Sequence, residues 1–139
     1  MQNVKEEILL EQKMEDSMSK QVLNIWNRDF EIDITYEIYS DKPVTEKQKT
    51  IASGLSTVDF SGSLEGVINY IKKYNSRDLG DEQIDNIFRY VIPKRIYITQ
   101  SEEEEFAIMC NYKFDMEHGI AVVYKGGKFK EAGPQDIIL

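Results

Sequence analysis

The run from Phe30 to Ile38 constrains the fold more than any other part of the chain. Phe30, Ile32, Ile34, Tyr36 and Ile38 alternate with Glu31, Asp33, Thr35 and Glu37. A period of two sends the first set to one face of a strand and the second to the other. With one face apolar and one polar, the strand belongs to a sheet covered on a single side. Ser40-Asp41-Lys42-Pro43 then supplies turn residues that end it.

The C-terminal half repeats this strand-and-turn grammar. Arg95 to Thr99, Phe106 to Phe114, Ile120 to Tyr124 and Lys128 to Lys130 read as strands. Gln100-Ser101-Glu102-Glu103-Glu104-Glu105 separates the first two, and its adjacent acids repel one another and favour an exposed loop. Gly126-Gly127 marks a two-residue hairpin whose positions both tolerate positive φ. Gly133-Pro134 turns the chain again, and Ile137-Ile138-Leu139 is expected to tuck back as an edge strand or tail.

The middle is helical in pattern. Thr45 and Gln48 stand three apart, as the two partners of a capping box do, so a helix is expected to about Ser53. A second begins near Ser63, with Leu64, Val67, Ile68 and Ile71 as its apolar stripe and Lys72-Lys73 near its C-terminus. Asn75 to Gly80 reads as a loop. A third helix is expected from Asp81, with Ile84, Ile87, Phe88 and Val91 inward and Pro93 as its stop. At the N-terminus Val4, Ile8, Met14, Met18, Val22 and Trp26 recur mostly at spacings of four, which predicts an amphipathic helical extension over residues 1–26. Whether this extension serves the core or an interface stays open.

Together these elements predict a single domain over residues 1–139 of the α+β class, an antiparallel sheet covered on one face by helices. A length of 139 residues suits one domain. No run approaches the roughly 20 apolar residues of a membrane helix, and the N-terminus lacks a basic start followed by an apolar stretch. Cys110 is the only cysteine, so no intramolecular disulfide forms, and its strand context predicts a buried thiol. A cytoplasmic location is therefore expected.

The net charge is −8, which disfavours nucleic acid and anionic membrane surfaces and suits a basic protein partner. The sequence does not fix an oligomeric state. Asp115-Met116-Glu117-His118-Gly119, between two apolar runs, carries the only histidine. His118 can serve as general base or metal ligand, with Asp115 or Glu117 orienting it. Gln135 and Asp136 follow the next turn and can return close to it. The structural alternative needs only Asp115 bonding backbone amides and Gly119 supplying positive φ. A histidine pair of the His-Glu-x-x-His kind, Gly-x-Ser-x-Gly and the phosphate loop are all missing, so no cofactor, resident metal or catalytic set is expected.

The C-terminal half resembles a group of uncharacterised bacterial domains, some suspected to be immunity proteins of polymorphic-toxin systems. The residues carrying the resemblance are Cys110-Asn111-Tyr112, Asp115-Met116-Glu117-His118-Gly119, Ile120-Ala121-Val122-Val123, Gly126-Gly127 and Gly133-Pro134-Gln135-Asp136. Ile32-Asp33-Ile34 and the stretch Thr45 to Gln48 are also similar, so the resemblance covers roughly residues 30–138. The usual tryptophan near the signature is replaced here by Asn111-Tyr112-Lys113-Phe114. The resemblance implies a fold and an association with toxin neutralisation, not a mechanism.

The leading expectation is a non-catalytic binding protein for a basic partner. Its binding residues are Asp115, Glu117, His118, Gln135 and Asp136, with Glu102, Glu103, Glu104 and Glu105 as a charged rim. The alternatives are a small metal-dependent or acid–base enzyme centred on Glu117, His118 and Asp136, and a structural subunit of a homo-oligomer.

Overall fold

The computed structural model describes residues 13–139. Six strands form one sheet in chain order: β1 (Lys13–Ile25), β2 (Arg28–Tyr39), β3 (Val91–Ile98), β4 (Glu105–Tyr112), β5 (Ile120–Lys125) and β6 (Lys128–Gly133). Neighbours are antiparallel except β2 and β3, which pair in parallel from Asp33–Arg95 to Tyr36–Ile98. Parallel neighbours need a long crossover. The helical middle supplies it through α1 (Glu46–Gly54), α2 (Leu64–Tyr74) and the short α3 (Ser76–Leu79). The fold is α+β, a mixed sheet with helices against it.

The alternation in β2 does what its sequence predicts: Ile32, Ile34 and Tyr36 are buried on the helical face. There they join Val67 and Ile71 of α2, Ile96 and Ile98 of β3, and Ile108 and Val122. The opposite face is drier than the acids of β2 suggest. Tyr97, Ala107, Met109, Ala121 and Val123 make a second apolar cluster there, and Ile138 of the C-terminal tail packs on it. Thr35, on that face, is buried with its hydroxyl donating to the Ile96 carbonyl at 2.7 Å.

Thr45 and Gln48 form the expected capping box on α1. Gln48 does more than cap. Its buried amide also donates to the carbonyls of Glu37, at 2.8 Å, and Ile98, at 3.0 Å. One side chain therefore fixes α1 to the ends of both strands of the parallel pair.

The helix expected over residues 1–26 is not found from Lys13 onward; its earlier part lies outside the described residues. Lys13–Ile25 is a strand paired with β2 along its length. Leu23 and Ile25 are buried while Val22 is exposed, a period of two that the apparent spacing of four conceals. Pairing with a strongly alternating neighbour overrides a weak helical pattern. The hairpin turns on Trp26 and Asn27 at φ +53° and +69°, without the glycine that would announce it. Trp26 is held in this rare conformation by burial and by its indole N–H donating to Ser63 Oγ at 3.0 Å.

The third expected helix also fails. Only Ile87–Arg89 makes a 3-10 turn. Asn86 Oδ1 accepts the Phe88 amide at 3.1 Å, a local bond that competes with helix formation. Val91 already belongs to β3, and Pro93 lies within that strand at a register shift, outside the stretch paired with β2. Conversely, Asn75 to Gly80, expected as loop, contains α3.

Candidate functional site

The Asp115–Gly119 stretch is a turn joining β4 to β5, and its polar groups bond chiefly to one another. Asp115 Oδ1 accepts the His118 amide at 3.1 Å, and its Oδ2 lies 3.0 Å from His118 Nδ1. The Gly119 amide donates to the Asp115 carbonyl at 2.9 Å. Gly119 has φ +59°, and a Cβ there would lie 2.6 Å from the Cys110 carbonyl oxygen. Only glycine fits both demands.

Gln135 closes the turn from below. Its amide donates to the His118 carbonyl at 3.0 Å, and its Nε2 donates to the Cys110 carbonyl at 3.1 Å. The 3-10 turn Gln135–Ile137, which follows Gly133-Pro134, brings it there. The structure thus joins Asp115, His118 and Gln135 directly. Glu117 and Asp136 act on the imidazole through charge. The His118 pKa is raised above 6.5, first by its hydrogen bond to Asp115 and then by the charges of Asp115, Glu117 and Asp136. Asp115 is held below the usual carboxylate range, first by the His118 backbone amide.

A carboxylate-oriented imidazole is one part of acid–base machinery. Here the orienting acid is Asp115 rather than Glu117 or Asp136. Among the described residues, no group of three or more His, Cys, Asp or Glu is placed to hold a metal ion. Cys110 is buried, and burial pushes its thiol pKa up, as its strand position predicts.

Glu102–Glu105 lies at the other end of β4, an eight-residue strand spanning roughly 25 Å. One compact site therefore does not contain both acidic groups. The loop is also less self-repelling than four adjacent acids imply. Lys125 Nζ lies 2.7 Å from Glu103 and 3.5 Å from Glu105, and Lys47 donates to the Glu102 carbonyl. Hydrogen bonding to Lys125 lowers the Glu103 pKa, and the same contact raises that of Lys125. Glu102 and Glu104 stay exposed.

A groove close in sequence to the closing turn escaped sequence reasoning. Tyr70 and Tyr74 of α2 face Glu131 and Ala132 of β6, with Pro134 and Ile137, around a cavity of about 380 Å³. The two rings are 4.9 Å apart and inclined at 44°. The i, i+4 spacing of the tyrosines was a usable signal. The placement of β6 and the tail against α2 was not readable.

Fold and site define a small α+β domain: a mixed six-stranded sheet, helices on one face, and an internally bonded acid–imidazole turn on the β4–β5 connection. The chain belongs to the family described as a domain of unknown function, DUF6985, whose model matches residues 6–139. No curated protein and no solved structure matches it. Among the described residues, no helix is long and apolar enough to cross a membrane.

Proposed function

We propose that this domain is a non-catalytic, cytoplasmic binding protein for a basic protein partner, acting as an immunity protein that neutralises a basic toxin. The observation carrying the reading is how polar groups divide at the His118 turn. Asp115 and Gln135 are engaged in holding the turn, whereas Glu117 and Asp136 beside it are exposed to solvent. A fixed backbone presenting carboxylates suits charge-complementary docking, in which electrostatics speed encounter and select the partner. The net charge of −8 acts in the same direction.

Affinity capture from the native host at low and moderate salt, read by mass spectrometry, tests this. The reading expects one stoichiometric basic partner that is lost as salt rises. Absence of such a partner at both salts contradicts it. The Asp115–His118 bond favours a second reading, acid–base catalysis. That reading requires His118→Ala to abolish a turnover that the folded wild type performs.

A further inference from the structure

We propose that the groove between Tyr70, Tyr74, Glu131 and Ile137 receives an arginine side chain from a basic protein segment. This rests on the basic-partner reading and gives it a location. Few large apolar side chains of the described residues are exposed, yet Tyr74 at 61% and Ile137 at 43% line this one groove. The groove is preformed: Ile137 packs so closely on Gly133 that a Cβ there would meet its Cδ1 at 2.9 Å.

Charge selects the occupant. Glu131 lines the groove. The Tyr70 hydroxyl on the inner wall has its pKa raised by burial first and then by the charges of Asp115, Tyr74 and Asp136. An aromatic pair under carboxylate control attracts a cation through both ring quadrupole and charge. Lys73 already places its ammonium 5.2 Å from the Tyr74 ring centroid, so this ring takes a cation within the free chain. Arginine fits better than lysine because its planar guanidinium stacks on a ring and forks toward a carboxylate at once.

The test is an amide-resolved NMR titration of the full chain with acetyl-Ala-Arg-Ala-amide, and with the same peptide carrying neutral citrulline. The arginine peptide should give saturable shifts centred on Tyr74, Glu131, Gly133 and Ile137. Citrulline should bind about tenfold more weakly. Tyr74→Ala, at an exposed position, and Glu131→Gln should each weaken the arginine response. Shifts scattered over the whole surface, no saturable shifts, or equal response to citrulline overturn the proposal. So do concentration-dependent shifts at these residues without peptide, which assign the groove to a second copy of the chain. If the peptide binds but no basic partner is ever captured, the partner reading fails and the groove stands. If a captured partner binds Tyr74→Ala as well as wild type, the groove fails and the partner reading stands.

Discussion

Two turns in the C-terminal half close antiparallel hairpins with glycine at positive φ, and they are built in opposite ways. At Gly126-Gly127, φ is +59° and +79°, and nothing lies within 4 Å of where a Cβ would sit. At Gly119, φ is also +59°, but the space is filled by the Cys110 carbonyl and the Gln135 side chain. The first turn needs glycine for its backbone alone. The second needs it because another part of the chain is seated on the turn. A hairpin connection has no need of such a seat, so the His118 turn is a platform rather than only a link.

The comparison breaks most visibly at the glycines. Gly119→Ala combines positive-φ strain with collision and should cost about 2–4 kcal/mol in denaturant unfolding. Gly126→Ala carries strain alone and should cost about 1–2 kcal/mol. Equal losses would mean that neither the Cys110 carbonyl nor Gln135 is seated against the turn. Gln135→Ala keeps the backbone bond to His118 but removes the donor to the Cys110 carbonyl, and should cost about 1–2 kcal/mol. The same substitution removes the side-chain part of the crowding at position 119 and leaves the Cys110 carbonyl, so the cost of Gly119→Ala should shrink in part in a Gln135→Ala background.

Asp115→Asn has a smaller effect on stability and a clear effect on titration. The His118 midpoint, read by NMR, should lie above 6.5 in the wild type and fall toward it in the variant. Because the folded His118 pKa is raised, its contribution is complete below about 6.5 and is lost as pH rises through the folded midpoint. Because the folded Asp115 pKa is depressed, its contribution is present above about 3.8 and is lost as pH falls through the folded midpoint. Both are complete between those values, so the pair adds pH dependence only below about 3.8 and above about 6.5, and the variant's stability profile should flatten on those two flanks. The smallest effect is expected at the far end of β4: Glu103→Gln removes the exposed one of Lys125's two carboxylate partners, leaves Glu105 in place, and should leave unfolding unchanged within error.

Elements specified by neighbouring residues were legible in the sequence. The alternation of Phe30 to Ile38, the Thr45–Gln48 capping box and the Gly126-Gly127 turn each depend on contacts a few residues apart. Elements decided by distant partners were not. Lys13–Ile25 becomes a strand because β2 pairs with it, through a turn of Trp26 and Asn27 that no glycine marks. The stretch after Asp81 carries apolar spacings that suit a helix, but the Asn86 side chain and the pairing of β3 dispose of it. The parallel β2–β3 pair follows from where the helical crossover delivers the chain.

The site divides in the same way. Asp115, His118 and Gly119 read as a turn because they form one locally, and the return of Gln135 to them was expected from the Gly133-Pro134 turn. The aromatic groove was hidden, since Tyr70 and Tyr74 become a wall only once β6 and Ile137 stand opposite them. Glu102 to Glu105, expected as a charged rim, lie at the opposite end of β4 from the His118 turn, a separation that the sequence pattern did not carry.

Amide hydrogen exchange at single-residue resolution tests the platform most directly. The amides of Gly119 and Gln135, bonded to the Asp115 and His118 carbonyls, should exchange as slowly as those of β5, while that of Gly127 exchanges fast. If Gly119 and Gln135 exchange as fast as Gly127, the turn is an ordinary loop, and its imidazole is free for chemistry rather than fixed in a docking edge.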